Sequence, residues 1–279
     1  MFYMKKITTI TPIRVQFWVL LLTLLGLNAI HAWGQKTTYL DLGAGFTYHV
    51  IKDEAMSPVR YTGLLPTVSF GILKEKQGKR LTELRIPVQY AIINARQFKE
   101  YSTMKANMFR LDIDYVYLRQ TNLIKDDRKG KFFLGASLHS FLDVRFLPQL
   151  DNSAIVYDLF NSLAVSAAYK HTFKLKSKML THYHRISLPL VSYGSRPDYL
   201  NVYDVTNPED DVLKYALRNT RFCSFGSYGR ILMRNSLFYP IRGNNQVGIS
   251  YEWQYYAASF TEQIRAASHA IMFSLLVNI

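Results

Sequence analysis

Apolar and polar residues alternate with a period of two along ten segments of the chain, whereas no segment of useful length shows a helical period. Side chains two positions apart lie on one face of a β-strand, so this pattern predicts strands with one apolar and one polar face. The ten predicted strands are residues 37–50, 61–73, 81–93, 108–120, 131–142, 157–171, 180–192, 218–230, 246–258 and 270–279. The eighth strand has the weakest pattern, and its facing is ambiguous.

The predicted strands and their connections have the dimensions of a membrane barrel. The strands run for about 12–14 residues, whereas globular strands usually have about 5–6 and a tilted membrane strand needs about 9–11. Short connections at 74–80 and 172–179 alternate with long ones, and 231–245 breaks this rule. The long connections are residues 51–60, 94–107, 143–156 and 193–217. The pattern predicts an all-β fold, an antiparallel up-and-down transmembrane β-barrel of about ten strands, with twelve as the alternative.

The segment 1–34 has the features of an export signal. An uncharged apolar run at 17–27 is followed by a small-x-small site at 32–34. The run is too short to cross a bilayer as a helix, so cleavage of the signal is expected. Its basic front contains Lys5, Lys6 and Arg14. Residues 35–279 are then expected to form a single barrel domain.

The last predicted strand continues to the final residue of the sequence. Its outer face would carry Ile271, Phe273, Leu275, Val277 and Ile279. Together with the export signal and the meander of long amphipathic strands, it resembles bacterial outer-membrane β-barrel proteins. The resemblance is architectural, and many such barrels end in Phe where this chain has Ile279. It implies residence in a Gram-negative outer membrane and insertion by the barrel-assembly machinery, but no particular activity.

Composition and net charge limit the classes of molecule that the protein is expected to bind. The chain has 20 Tyr, 17 Phe and a net charge of +14, which falls to +11 without the three basic residues of the signal. Its mean hydropathy of −0.04 suits strands whose faces alternate between lipid and lumen. We expect the basic excess to meet the phosphates of outer-membrane lipid or lipopolysaccharide, or simply to solvate loops and turns; nucleic acid is not expected. The lone Cys223 allows no intramolecular disulfide and is expected to be a buried strand residue.

The polar faces of the strands carry charges of both signs, which a barrel would point into its lumen. The predicted inward-pointing residues are Asp41, Glu83, Arg85, Arg110, Asp112, Asp114, Lys170, Arg185 and Glu252. Charges in a narrow, low-dielectric interior must be paired, and a barrel of about ten strands is near the size that side chains can fill. The set is therefore expected to form an ion-pair network that occludes the lumen, with a small polar channel as the alternative.

No catalytic, metal or cofactor site is expected. Ser137 and His139 share the inward face but lack an obvious third partner, and His182 and His184 share a face without a third metal ligand. The acids near 53–54 are expected to be solvated loop residues. The prediction is a non-enzymatic outer-membrane barrel with external loops for envelope structure, adhesion or binding of an envelope protein. The alternatives are a small porin-like diffusion channel and a barrel hydrolase, either a lipase or a protease.

Overall fold

The alternating segments form long strands in the computed structural model, which describes residues 36–76, 78–96, 104–123, 130–149, 155–196, 220–224, 226–259 and 262–279. The predicted export signal lies outside these residues. The strands are β1 Lys36–Asp53, β2 Ser57–Lys76, β3 Arg80–Ala95, β4 Lys105–Gln120, β5 Lys131–Phe146, β6 Ile155–Leu175, β7 Lys178–Ser195, β8 Thr220–Cys223, β9 Tyr228–Pro240, β10 Gln246–Ala258 and β11 Ile264–Asn278. A short 3-10 turn, Arg242–Asn244, joins β9 to β10. In the described part of the chain no helix is long and apolar enough to cross a membrane.

The strands close into an antiparallel barrel. The circle is completed where β1 pairs with β11, and most other strands pair with their neighbours in chain order. The exception is at β7, which pairs with both β8 and β9. In the β1–β11 ladder Tyr39 lies opposite Asn278 and Asp53 opposite Ile264, so β1 and β11 are paired over nearly their whole length. The predicted antiparallel barrel is therefore confirmed, with ten positions around its wall.

The eighth position of the wall is where the sequence-based prediction was wrong. The segment expected at 218–230 is two strands, β8 and β9, which both pair with β7 and are separated by a turn near Ser227. The expected connection 231–245 is mostly β9. The alternation of β9 is hard to see in the sequence because Arg234 lies on its inner face while Asn235, a polar residue, lies on its outer face.

The two ends of the barrel differ. At one end, here called the turn end, lie Lys36, Ile279 and the connections 77–79, 121–130, 176–177 and 241–245. At the other, the loop end, lie the connections 54–56, 96–104, 147–154, 196–219 and 259–263. The expected long connection 51–60 is instead a tight turn, because Asp53 accepts hydrogen bonds from the backbone N–H groups of Ala55 (3.0 Å) and Met56 (3.1 Å).

The outer wall is a band of exposed apolar side chains. Phe46, Leu64 and Phe70 are each more than half exposed, as are Tyr90 and Phe273. On β4 the outward positions are Lys105, Asn107, Phe109, Leu111, Ile113, Tyr115, Tyr117 and Arg119. The apolar faces thus do not pack on one another as they would in a soluble sandwich, and charged residues bound the band at both ends.

A bulge in β7 sets which side chains of its last residues enter the lumen. The β6–β7 register shifts next to Ala164, and both Leu190 and Val191 face outward. This extra residue reverses the period-two phase of β7, so that Arg196, just past the strand, points inward and is buried. Without the extra residue, the alternation that places Arg185 inside the barrel would have placed Arg196 on the outer wall.

Because the apolar band is assigned to lipid, a charge introduced into it should lower the free energy of unfolding by an amount that depends on its depth in the bilayer. Replacing Ile113, at the centre of the apolar band of β4, by Arg should lower the free energy of unfolding by about 2–4 kcal/mol. Asn107→Arg is the matched control, because it lies on the same strand and face but near the edge of the band, where the expected cost is about 0–1 kcal/mol. Denaturant titrations of the protein folded in lipid vesicles would measure both values. Equal costs at the two depths would show that this face does not meet lipid.

Candidate functional site: the barrel interior

Charged side chains fill the middle of the barrel in nearly equal numbers of each sign. The buried arginines are Arg85, Arg110, Arg145, Arg185, Arg196, Arg230 and Arg234. The buried carboxylates are Asp41, Asp53, Glu83, Asp112, Asp114, Asp143 and Asp158, and the partly buried Glu252 is an eighth acid. The alternation of each strand places them inside, and the near balance of charge allows almost every one to be paired.

Most of these pairs reach across the lumen. Arg185 of β7 contacts both Glu83 of β3 (3.0 Å) and Asp114 of β4. Arg234 of β9 also contacts Glu83, from the opposite side of the barrel. Strand neighbours are not the preferred partners: Arg85 lies beside Asp114 in the β3–β4 register, yet its guanidinium contacts Glu252 of β10. The long arginine side chains therefore brace opposite walls of the barrel.

A second group of charges lies towards the loop end and is completely buried. Arg145 contacts Asp53 (2.9 Å), Asp143 (3.4 Å) and Asp158, which come from β1, β5 and β6. Arg196 contacts Asp53 and Asp158 (3.1 Å). The relative exposure of all five side chains is 0%. The expectation that Asp53 is a solvated loop acid was wrong, because the tight turn after β1 holds it over the lumen.

Arg110 links the ionic groups to aromatic rings. Its Nε donates to Asp112 (2.9 Å), and Arg230 donates to the other oxygen of the same carboxylate (2.8 Å). The Arg110 guanidinium also lies 5.2 Å from the ring centre of Phe141 and 5.8 Å from that of Tyr256. Cation–π contacts of this kind strengthen when the cation is removed from water. Arg110 is thus held by both a carboxylate and an apolar wall.

The structure places all nine sequence-predicted residues on the inner face. Seven of them are buried, whereas the side chains of Lys170 and Glu252 are 23% and 19% exposed. Eight belong to the mid-barrel network, and Lys170 pairs with Glu75 near the turn end.

Several members of the network are not among the residues that the sequence pattern places inside the barrel. They are Asp53, Asp143, Arg145, Arg196, Arg230 and Arg234. The alternation of inward-facing residues does indicate Asp143 and Arg145, which lie four and six positions after His139 but beyond the predicted strand end at residue 142. It does not indicate Arg196, because the bulge reverses the alternation before this residue. It does not indicate Arg234, because its segment was predicted to be a connection.

One arrangement has the residue types and the distances of a nucleophilic triad. Ser137 Oγ lies 2.9 Å from His139 Nε2, and His139 Nδ1 lies 2.9 Å from Asp114 Oδ1. The expectation that Ser137 and His139 lack a third partner was wrong, because Asp114 is directly opposite His139 in the β4–β5 register. Ser137 Oγ also bonds to Ser166 Oγ (2.7 Å), and Arg185 occupies the other oxygen of Asp114.

The paired histidines of β7 lie on the outer wall. His184 Nδ1 is hydrogen-bonded to Asn235 Oδ1 (2.7 Å), and His182 lies opposite His171 in the β6–β7 register. They are separate from the interior charges. Over the described residues, no group of three or more His, Cys, Asp or Glu side chains could hold a metal ion. Cys223 is a buried residue of β8.

Apolar clusters surround the charged groups towards both ends of the barrel. The turn-end apolar cluster contains Tyr39, Leu81, Val116, Leu118, Phe133, Ala168, Tyr183, Phe238 and Leu276. The loop-end apolar cluster includes the fully buried Ile51, Tyr61, Leu65, Phe141, Phe160 and Tyr256. Two interior cavities of about 40 Å³ each adjoin the network, one beside His139 and one beside Tyr183. Each has room for only a few water molecules.

Comparisons with known proteins return outer-membrane proteins of low similarity. No protein-family model matches the sequence, and no curated protein matches it. Among solved structures, the chain is similar to the outer-membrane protease OmpT from Escherichia coli, with 7% identity and a TM-score of 0.47 over 88% of this chain and 96% of that chain. It is also similar to the translocator domain of the autotransporter NalP from Neisseria meningitidis, with 8% identity and a TM-score of 0.38 over 95% and 96%. A mutant of the monoaromatic hydrocarbon channel TodX gives 6% identity and a TM-score of 0.26 over 89% and 91%. These likenesses concern architecture and say nothing about the activity of this chain.

Removal of Arg145 should destabilise the barrel strongly. Arg145→Ala takes away the cation shared by Asp53, Asp143 and Asp158 in a site without exposure to water, and breaking such a pair costs about 3–5 kcal/mol. Lys52→Ala is the control, because its pair with Glu54 is solvent-exposed and such pairs contribute about 0–1 kcal/mol. Denaturant titration in lipid vesicles measures both. A loss below 1 kcal/mol for Arg145→Ala would mean that water reaches these carboxylates.

Proposed function

We propose that this protein is a non-enzymatic outer-membrane barrel with a closed lumen, which acts through its surface and its loop end in envelope structure, adhesion or binding of an envelope protein. The cross-lumen pairing of arginines with carboxylates is the observation that supports this most directly. Side chains from opposite walls occupy the space through which a solute would pass, and the two apolar clusters lie beyond them.

The proposed location follows from the outer wall and the two ends. An exposed apolar band bounded by charges suits a bilayer, and bacterial barrels place short turns in the periplasm and longer loops outside the cell. The turn end, with Lys36 and Ile279, is therefore assigned to the periplasm. A cleaved signal at 1–34 and insertion by the barrel-assembly machinery complete the proposed route.

A closed lumen predicts that the purified protein does not conduct ions. Reconstituted into planar bilayers, it should show no unitary current steps, while a porin handled in the same way serves as the positive control. Stable steps would favour the diffusion-channel alternative. In that case Arg110→Ala should shift the ion selectivity towards cations, because Asp112 would lose a compensating charge in a water-filled pore.

The Ser137–His139–Asp114 arrangement is the observation that favours a hydrolase as a second candidate. The histidine is placed to accept the serine proton, and a carboxylate oxygen of Asp114 lies 2.9 Å from its other nitrogen. Three facts weigh against catalysis. Ser137 is 1% exposed, and the neighbouring cavity of about 40 Å³ is smaller than an ester or peptide substrate. Ser166 already occupies a hydrogen-bonding position on the Ser137 hydroxyl.

A fluorophosphonate probe separates the two candidates. The folded protein should not be labelled, whereas a serine protease in the same assay should be. Labelling that disappears in Ser137→Ala but persists in Ser187→Ala would contradict the non-enzymatic proposal. Ser187 is the matched control because it is equally buried and belongs to the same chain of serine hydroxyls, but has no histidine partner in that chain.

A further inference from the structure

The near-neutral interior leaves the positive charge of the protein to be carried elsewhere. The buried arginines balance the buried acids, and Lys170 is matched by Glu75. The net charge of +11 that residues 35–279 carry therefore belongs to the rims and connections of the barrel. Its distribution over the two ends can be read from the positions of the remaining Lys, Arg, Asp and Glu residues.

Among the described residues, most of this excess lies at the turn end. The basic ring is defined here as Lys79, Arg80, Arg119, Lys174, Lys176, Lys178 and Arg242. These residues follow the perimeter from the connection between β2 and β3 to the connection between β9 and β10. Among the described residues at the same level, the only acidic side chain is Glu75, which is taken up by Lys170.

Among the described residues, the loop end carries less positive charge than the turn end. Its rim has the basic residues Lys52, Arg60, Arg96, Lys105, Arg221 and Arg265, and the acidic residues Glu54 and Glu262 offset part of their charge. The two ends thus differ in charge although each joins antiparallel strands.

The basic ring is at the level where the wall leaves the lipid. Tyr117 lies two positions from Arg119 on the outer face of β4, and both are exposed. On β6 the rings of Tyr169, His171 and Phe173 stack along the outer wall, with centroids 6.3 Å and 5.8 Å apart. Amphipathic rings favour the interface between hydrocarbon and headgroups, and Lys and Arg beyond them reach the headgroups themselves.

We propose that the basic ring binds the phosphates of anionic phospholipids in the leaflet at the turn end, which is the inner leaflet of the outer membrane if the proposed orientation holds. Charges spread around the perimeter match a surface of headgroups, whereas a protein partner would need one contiguous patch. Four of the seven residues are lysines, whose compact, mobile charge suits electrostatic attraction to a lipid surface more than bidentate recognition of one ligand.

Two matched double variants test the proposal. Arg80 and Arg119 are opposite one another on neighbouring strands at the turn end, and Lys52 and Arg265 are opposite one another at the loop end. All four are exposed. Arg80→Gln/Arg119→Gln and Lys52→Gln/Arg265→Gln therefore remove the same charge from equivalent positions. Neither should impair folding, since each relieves a repulsion between like charges, and the Lys52–Glu54 pair that the loop-end variant loses is solvent-exposed and contributes little.

Native mass spectrometry would count the lipids retained by the full mature protein released from nanodiscs of mixed phosphatidylglycerol and phosphatidylcholine. The wild type should retain phosphatidylglycerol in excess over its share of the disc, and high salt should abolish this excess. The turn-end variant should lower the relative affinity about tenfold or more. The loop-end variant should resemble the wild type.

Three results would overturn the proposal. The first is no phosphatidylglycerol enrichment on the wild type, as expected if the ring binds an acidic protein. The second is a turn-end variant that retains as much phosphatidylglycerol as the wild type. The third is a loop-end variant that loses as much phosphatidylglycerol as the turn-end variant. The nanodisc experiment does not depend on where the protein resides in the cell. Fractionation of cell envelopes tests the proposed location separately, so failure of one idea is distinguishable from failure of the other.

Discussion

The pairing of arginines with carboxylates across the lumen is the interaction on which the rest of this structure depends. A charge left alone in a narrow, low-dielectric interior would be strongly destabilising, so each inward-facing charge requires a partner. With ten positions in the wall, the interior is wider than short side chains can fill, and arginine is long enough to reach the opposite side. Glu83 illustrates the result, since Arg185 and Arg234 approach its two oxygens from β7 and β9.

This network has consequences at both ends of the barrel. Because the interior is nearly neutral, it neither attracts ions strongly nor accounts for the basic character of the chain. The positive charge is left to the rim at the turn end, next to the interfacial aromatic rings. The same packing brings Ser137 into a hydrogen bond with His139 and places Asp114 beside the other ring nitrogen, and it also leaves little space beside them for a substrate.

The alternation of apolar and polar residues was sufficient to predict the barrel and the facing of most strands. It placed Asp41, Glu83 and Asp112 inside because side chains alternate without interruption along a regular strand. It could not predict partners: Arg85 is beside Asp114 along the wall but contacts Glu252 across it. Choice of partner depends on which side chains meet at the same height in a closed barrel, and strand alternation contains no such information.

Local irregularities account for the remaining errors. The bulge in β7 reverses the phase before Arg196, and the break between β8 and β9 hides a strand whose outer face includes Asn235. The tight turn closed by Asp53 shortens a connection that the sequence suggested was long. Each of these features positions a charged residue of the network inside the barrel. The irregularities that interrupt the period-two pattern therefore also supply charges that pair in the interior.

The accessibility of a thiol in the middle of the lumen distinguishes a lumen closed by ion pairs from one filled with water. Cys223 would first be replaced by Ser, and Ser250→Cys would then introduce a thiol at a position that is 1% exposed, with Ser259→Cys on the exposed connection as the control. If the ion pairs close the lumen, a small charged methanethiosulfonate reagent modifies the control and leaves position 250 unmodified in the folded barrel. Modification of both thiols at similar rates would show that water fills the lumen and that the cross-lumen pairs do not close it.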